Sequence, residues 1–274
     1  MKVMLACCQM PVSEDLQLNL STAERYIADS AQQGAQIILL PEMFCCPYDN
    51  ACFPAYAQTA DGEIARRMAK AAKTHGIYLF AGSFPERDGN SIYNTCLVFD
   101  RTGALIGRHR KAHLFDIAVE GGVSFRESDI LTAGNAVTTV KTEYGTIGVA
   151  ICFDMRFAEP FRLMALRGAK LILLPSAFNM TTGPAHWELT LRARALDNQL
   201  FTAACAPAQN PDASYLSYGH SLVASPWGDV LGQLGFEEGI LFSEIDLDKA
   251  DAVRKQLPIL SARRTDLYSI TECP

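Results

Sequence analysis

Two stretches of this 274-residue chain end alike: QIILLPE, reaching Glu42, and LILLPS, reaching Ser176. Each is an apolar run of strand length closed by proline, and each follows a helical period that stops at a glycine. Between Asp15 and Gln33 apolar residues recur at Leu16, Leu20, Ala23, Ile27 and Ala31, with Gly34 next; a helix over about 157–167 leads through Gly168 into the second run. Helix before strand is thus the recurring unit. The matching ends suit the two halves of a pseudo-symmetric layered sandwich, but any apolar strand closed by proline would give the same pattern, and both readings stand.

The unit appears again where a helix over about 62–75 precedes the strand IYLFAGS at 77–83. Elsewhere the pattern is that of hairpins. SIYNTCLVFD (91–100), the turn RTG and ALIGRHRK (104–111) form an antiparallel pair, with Thr102 and Gly103 placed to reverse the chain. VMLACCQ at 3–9 reads as a first strand, and others are expected over 137–141, 146–151, 200–205, 219–225, 230–234 and 240–246. Helix-linked strands together with hairpins imply an α/β fold with mixed sheets. No linker or composition break divides residues 1–274, so one domain is expected.

A hydrophobic fraction of 49% and a charged fraction of 20% are those of a globular protein. The net charge of −6 offers no basic face for nucleic acid and points to a small-molecule partner. Nine cysteines, among them the adjacent pairs Cys7-Cys8 and Cys45-Cys46, lack CxxC spacing; they read as free thiols in a reducing, cytoplasmic compartment. The N-terminus has no small-residue cleavage site, and no apolar run approaches the length of a membrane span.

Three residues at strand ends could carry chemistry. Cys152 closes the apolar strand 146–151 just before helix-forming residues, a turn that exposes a side chain and offers backbone N–H groups to a developing oxyanion. Glu42 stands at the mouth of a buried strand, where desolvation raises a carboxyl pKa toward that of a general base. Lys111 ends the hairpin strand, where a fixed ammonium can bind an oxyanion or a thiolate. Read singly, each also has a plain structural meaning: an inert buried thiol, a loop acid, a solvated basic edge. His109 and His113 are four apart without HExxH or a third ligand, so no metal site is expected.

Together, in the contexts LLPEMF, RKAHLFD and ICFDMRF, these residues resemble the Glu-Lys-Cys triad of the nitrilase superfamily, the carbon–nitrogen hydrolases. The resemblance runs nearly end to end. PSAFNMTTGPAHWELTLRARALDNQ (175–199), SYGHSLVASPWGDVL (217–231) and LPILSARRTDLY (257–268) look like the Nit2 branch, whose members are ω-amidases. The neighbouring Nit1 branch, which hydrolyses deaminated glutathione, shares the HWE, SYGHS and PWG elements.

The resemblance implies a four-layer α-β-β-α sandwich that dimerises by stacking, and a reaction that needs neither metal nor organic cofactor. Glu127, by itself a loop acid, would be a second acidic site residue that helps position Lys111 and the substrate. The oxyanion would lie between Lys111 and the backbone N–H of Phe153. Substrates would be monoamides of dicarboxylates, with Arg156 pairing the distal carboxylate. Tyr48, Phe178 and Thr182 would line the same pocket. His186, Trp187 and His220 are left outside the catalytic set, because an aromatic on a helix more often packs than reacts.

Overall fold

The computed structural model describes residues 1–121 and 124–273. Its strands, in chain order, are β1 (Lys2–Gln9), β2 (Ile37–Leu39), β3 (Tyr78–Asp88), β4 (Ser91–Phe99), β5 (Leu105–Arg110), β6 (Asp116–Ala118), β7 (Ser124–Arg126), β8 (Thr138–Thr142), β9 (Gly145–Val149), β10 (Leu171–Pro175), β11 (Phe201–Cys205), β12 (Leu222–Ala224), β13 (Val230–Gln233) and β14 (Gly239–Asp246). The helices are α1 (Leu16–Gln32), α2 (Phe53–Tyr56), α3 (Glu63–His75), α4 (Ala158–Leu166), α5 (Gly183–Asn198) and α6 (Asp248–Gln256). Two sheets of six strands result, ordered β14-β1-β2-β3-β4-β5 and β13-β12-β11-β10-β9-β8, with β6 and β7 as a separate ribbon.

The two sheets share one topology. β1, β2 and β3 run parallel, joined through α1 and α3, and β4 and β5 continue antiparallel. β9, β10 and β11 repeat this through α4 and α5, with β12 and β13 antiparallel beyond them. β14 and β8 close the opposite edges antiparallel. Leu39 pairs with Cys7 as Leu173 pairs with Val149. The likeness of LLPE to LLPS is therefore architectural: both segments leave the middle of a parallel trio.

Side-chain alternation separates the layers. Val3, Leu5, Cys7, Ile37, Leu39 and Phe80 join the cluster shared with the second sheet, whereas Ala6, Cys8, Ile38, Leu40 and Leu79 pack under α1 and α3. α1 turns Leu20, Ala23 and Ile27 onto that face, as its period predicts. Burying each such Leu or Ile contributes about 1.5–3 kcal/mol. The helix starts at Asp15, whose Oδ1 accepts the N–H groups of Gln17 at 2.8 Å and Leu18 at 3.1 Å, a cap contributing about 1 kcal/mol. On the second sheet Phe161, Met164, Trp187 and Leu191 of α4 and α5 cover Leu171–Leu174 from outside. The order of layers is helices, sheet, sheet, helices, which is the expected four-layer α-β-β-α sandwich with mixed sheets.

Most expected elements are present with small shifts. The strand expected over 219–225 shortens to Leu222–Ala224, because Gly219 (φ 65°) and His220 (φ 58°) turn the chain out of the pleat. β3 runs on to Asp88 through an irregularity between Ala81 and Phe84. No described helix is long and apolar enough to cross a membrane.

Candidate active site

Four segments bring their chemistry to the carboxyl ends of the parallel strands, where open α/β sheets place ligands. Glu42 follows β2, Lys111 follows β5, Glu127 follows β7 and Cys152 follows β9. Glu42 and Lys111 hang on the first sheet, and Cys152 hangs on the second.

The Glu42 turn is tight. Met43 lies at φ 52°, its N–H donating to Ser83 Oγ at 3.1 Å, and the Ser83 N–H donates to the Pro41 carbonyl at 3.2 Å. Gly82 (φ 40°) faces that carbonyl closely enough for a Cβ to collide with it, so a side chain there would push the turn away. Cys152 is also left-handed, at φ 45°, and opens a 3-10 turn running to Arg156. The first N–H groups of such a turn, Phe153 among them, lack partners within it. Non-glycine residues at positive φ cost about 1–3 kcal/mol and gather at functional sites; here two of them flank one site.

A buried charge cluster ties the first three groups together. Lys111 Nζ donates to Glu42 Oε1 at 2.8 Å and to Glu127 Oε1 at 2.9 Å, and lies 3.4 Å from the Tyr48 hydroxyl. Tyr48 in turn donates to Glu127 Oε1 at 2.5 Å, and Glu127 Oε2 accepts the Phe115 N–H at 2.7 Å. Asn94 Nδ2 donates to Glu42 Oε1 at 2.8 Å. Glu42 Oε2 is buried without a hydrogen-bond partner among the described residues, and the Cys152 thiol borders the Glu42 carboxyl.

The electrostatics fit that geometry. Burial raises the Glu42 carboxyl above its usual range although Lys111 opposes the shift. Burial also pushes the Cys152 thiol far up, Glu42 adding to this and Lys111 and the Ala177 N–H opposing it. For Lys111 burial disfavours the charge, but Glu127 and Glu42 outweigh it and hold the ammonium protonated. At rest the arrangement is a neutral thiol beside the Glu42 carboxyl, with the Lys111 ammonium hydrogen-bonded to one of its oxygens.

Next to Cys152 stands an unneutralised arginine. The Arg156 guanidinium lies 5.5 Å above the Phe153 ring and 5.0 Å from that of Phe178, and no carboxylate pairs with it among the described residues. Its Nη1 reaches His186 Nδ1 at 3.0 Å, and its Nε is buried without a partner. Thr182 immediately precedes α5 and points its hydroxyl to Asn179 Oδ1 at 3.3 Å, so that hydroxyl is tied within its own turn. Tyr48 spends its hydroxyl inside the charge cluster and offers its ring to a cavity of about 450 Å³ that reaches Glu42, Cys46, Ala177 and Tyr215. Trp187 packs in the core, its Nε1 donating to the His220 carbonyl at 2.6 Å.

Three contributors escape a reading of the sequence. Tyr215 closes the cavity, its ring 4.5 Å from that of Tyr48 and its hydroxyl donating to the Ala177 carbonyl at 2.5 Å; it sits in a polar loop that gives no signal. Asn94 is signalled by a polar residue at a buried position of β4. Asp154 is signalled by an acid inside the apolar context ICFDMRF, and it binds both His109 and His113.

Comparison with known proteins gives the family. The carbon–nitrogen hydrolase profile matches residues 4–255. The chain is 48% identical to the ω-amidase NIT2 of Xenopus tropicalis, covering 99% of this chain and 98% of that one, and 46% identical to the human ω-amidase NIT2, covering 97% and 96%. Among solved structures, Saccharomyces cerevisiae Nit3, a member of branch 10 of the nitrilase superfamily, superposes with a TM-score of 0.89 at 36% identity, covering 96% of this chain and 97% of that one. The chain therefore belongs to the carbon–nitrogen hydrolases of the nitrilase superfamily.

Proposed function

We propose that residues 1–274 act as one thiol amidase domain of the ω-amidase kind, converting monoamides of dicarboxylates such as α-ketoglutaramate and α-ketosuccinamate to the dicarboxylate and ammonia. The observation that carries this is the free oxygen of Glu42 beside Cys152, with Lys111 fixed on the other oxygen. Glu42 takes the thiol proton as the sulfur attacks the amide carbon. Lys111 and the Phe153 N–H hold the resulting oxyanion. As the C–N bond breaks, Glu42 passes that proton to the departing ammonia. A water then attacks the thioester, Glu42 takes its proton, and the acid leaves as the thiol is restored. Glu127 holds Lys111 and does not move a proton.

Substrate choice rests on Arg156. A half-buried guanidinium with no carboxylate partner among the described residues suits the distal carboxylate of an ω-amide, with Phe178 as an apolar wall. The names of the NIT2 relatives support the same substrate class. Nine unpaired cysteines suit the cytoplasm. A homodimer is favoured by the outer face of α5, where Leu189 is 69% and Leu196 43% exposed, next to Trp227 at 54%.

Ammonia release from α-ketoglutaramate, deaminated glutathione and an aliphatic nitrile tests the assignment. Turnover of the first is expected. Turnover of the second without the first would move the chain to deaminated-glutathione hydrolysis. A slow amide should leave an acyl adduct on Cys152 that is absent in Cys152→Ala; an adduct on Cys45 or Cys205 instead would overturn the nucleophile.

A further inference from the structure

We propose that Asp154 is a positioning residue for the reaction: its carboxylate sets the separation between the turn that carries Cys152 and the strand end that carries Lys111. The inference rests on the roles given above to those two residues.

Asp154 is 2% exposed and accepts four N–H groups. Oδ2 accepts the Ile151 N–H at 2.9 Å and lies 3.1 Å from His109 Nε2. Oδ1 accepts the His113 N–H at 2.9 Å and lies 2.7 Å from His113 Nδ1. A carboxylate has about four acceptor sites, so this one is saturated. Its donors come from two places. Ile151 immediately precedes Cys152, and His109 and His113 stand two residues before and two after Lys111.

The bonds run between sheets. β5 belongs to the first and β9 to the second, so no strand ladder joins the nucleophile to the lysine. Asp154 supplies that join, while its own N–H donates to the Ile151 carbonyl at 3.0 Å and closes the turn that keeps Cys152 left-handed. Both rings are fixed on their far sides. His109 Nδ1 lies 2.9 Å from Thr138 Oγ1 on β8, and the His113 ring stacks on Phe157 at 3.7 Å. Lys111 itself is pinned by its N–H to the Asn94 carbonyl and by its carbonyl to the Gly134 N–H, both at 2.8 Å.

Asp154 reaches neither reacting atom, so its effect is one of distance. A misplacement of about 1 Å can cost about 100-fold in rate. Since the carboxylate bonds Ile151, His109 and His113 and neither Arg156 nor another expected pocket residue, substrate affinity should be spared.

The test uses full-length Asp154→Asn, His113→Ala and His113→Asn, each measured for kcat, KM and thermal melting, with Cys152→Ala as control. Asp154→Asn should lower kcat by about 30-fold or more while KM stays within about threefold. His113→Ala should lower kcat by about tenfold, and His113→Asn, whose Nδ2 stands where the ring Nδ1 stood, should recover most of it. Wild-type kcat in Asp154→Asn and His113→Ala would overturn the proposal. So would a loss that only tracks the unfolded fraction, or equal loss in both His113 variants. If Asp154→Asn does not fold, the His113 pair decides. Activity surviving in Cys152→Ala would instead refute the catalytic roles on which the proposal rests.

Discussion

Glu42 gives one carboxylate oxygen to Lys111 at 2.8 Å and keeps the other buried and unpartnered among the described residues. A carboxylate wholly paired would be a structural anchor; one half-paired beside a thiol is poised to take a proton. Glu42→Gln keeps the shape and the Lys111 contact but removes the basicity. It should lower kcat/KM by about 10²–10⁴-fold with little change in melting temperature, read by ammonia release and a thermal scan.

The pH dependence has a defined sign. In the proposed mechanism Glu42 acts as its carboxylate, and burial lifts its pKa above the ordinary 4.5. As pH falls, kcat/KM should therefore decline through a midpoint above 4.5 rather than below it. The Cys152 thiol is raised far above 9.0, so at neutral pH the ultraviolet thiolate absorbance of wild type minus Cys152→Ala should stay near zero. A thiolate signal at rest would contradict the proton transfer assigned to Glu42.

Lys111 lies between two buried carboxylates, and removing it strands both. Lys111→Met should abolish turnover and destabilise the fold by about 3–5 kcal/mol in urea titration. Adding Glu127→Gln to that variant should recover part of the stability and none of the activity. Full activity in the double variant would separate Lys111 from the oxyanion.

Arg156→Lys keeps the charge but loses the planar fork. KM for α-ketoglutaramate should rise about tenfold or more while a neutral aliphatic amide is turned over as before. An equal change for both substrates would mean that Arg156 shapes the site without reading the carboxylate.

How far the sequence foretells this structure depends on whether a residue's meaning is local. Glu42, Lys111 and Cys152 are legible because each closes an apolar strand, and the family likeness binds them. Asp154 shows only as an acid in an apolar context, and its role stays hidden because its partners His109 and His113 arrive from the other sheet. In α5 the buried set Trp187, Leu191 and Ala195 is masked by outward Leu189 and Leu196, which blur the single apolar stripe that marks a helix. The β6 and β7 strands are three residues each and exposed at both ends, too short for an apolar run or a sustained period, which hides how Glu127 reaches the lysine.

Because Glu42 and Lys111 hang from one sheet and Cys152 from the other, the apolar filling between them is a spacer, and in the proposed mechanism its thickness is a reaction distance. Leu39 and Phe80 on one side and Val149 and Leu173 on the other set that gauge without touching substrate. A change of one methylene there can be absorbed by the fold at a cost of about 0.5–1.5 kcal/mol. The same change moves the proton acceptor relative to the sulfur. Variants of this core should therefore lose rate well before they lose structure, and a survey of activity across them would read the spacing between the sheets as a ruler reads length.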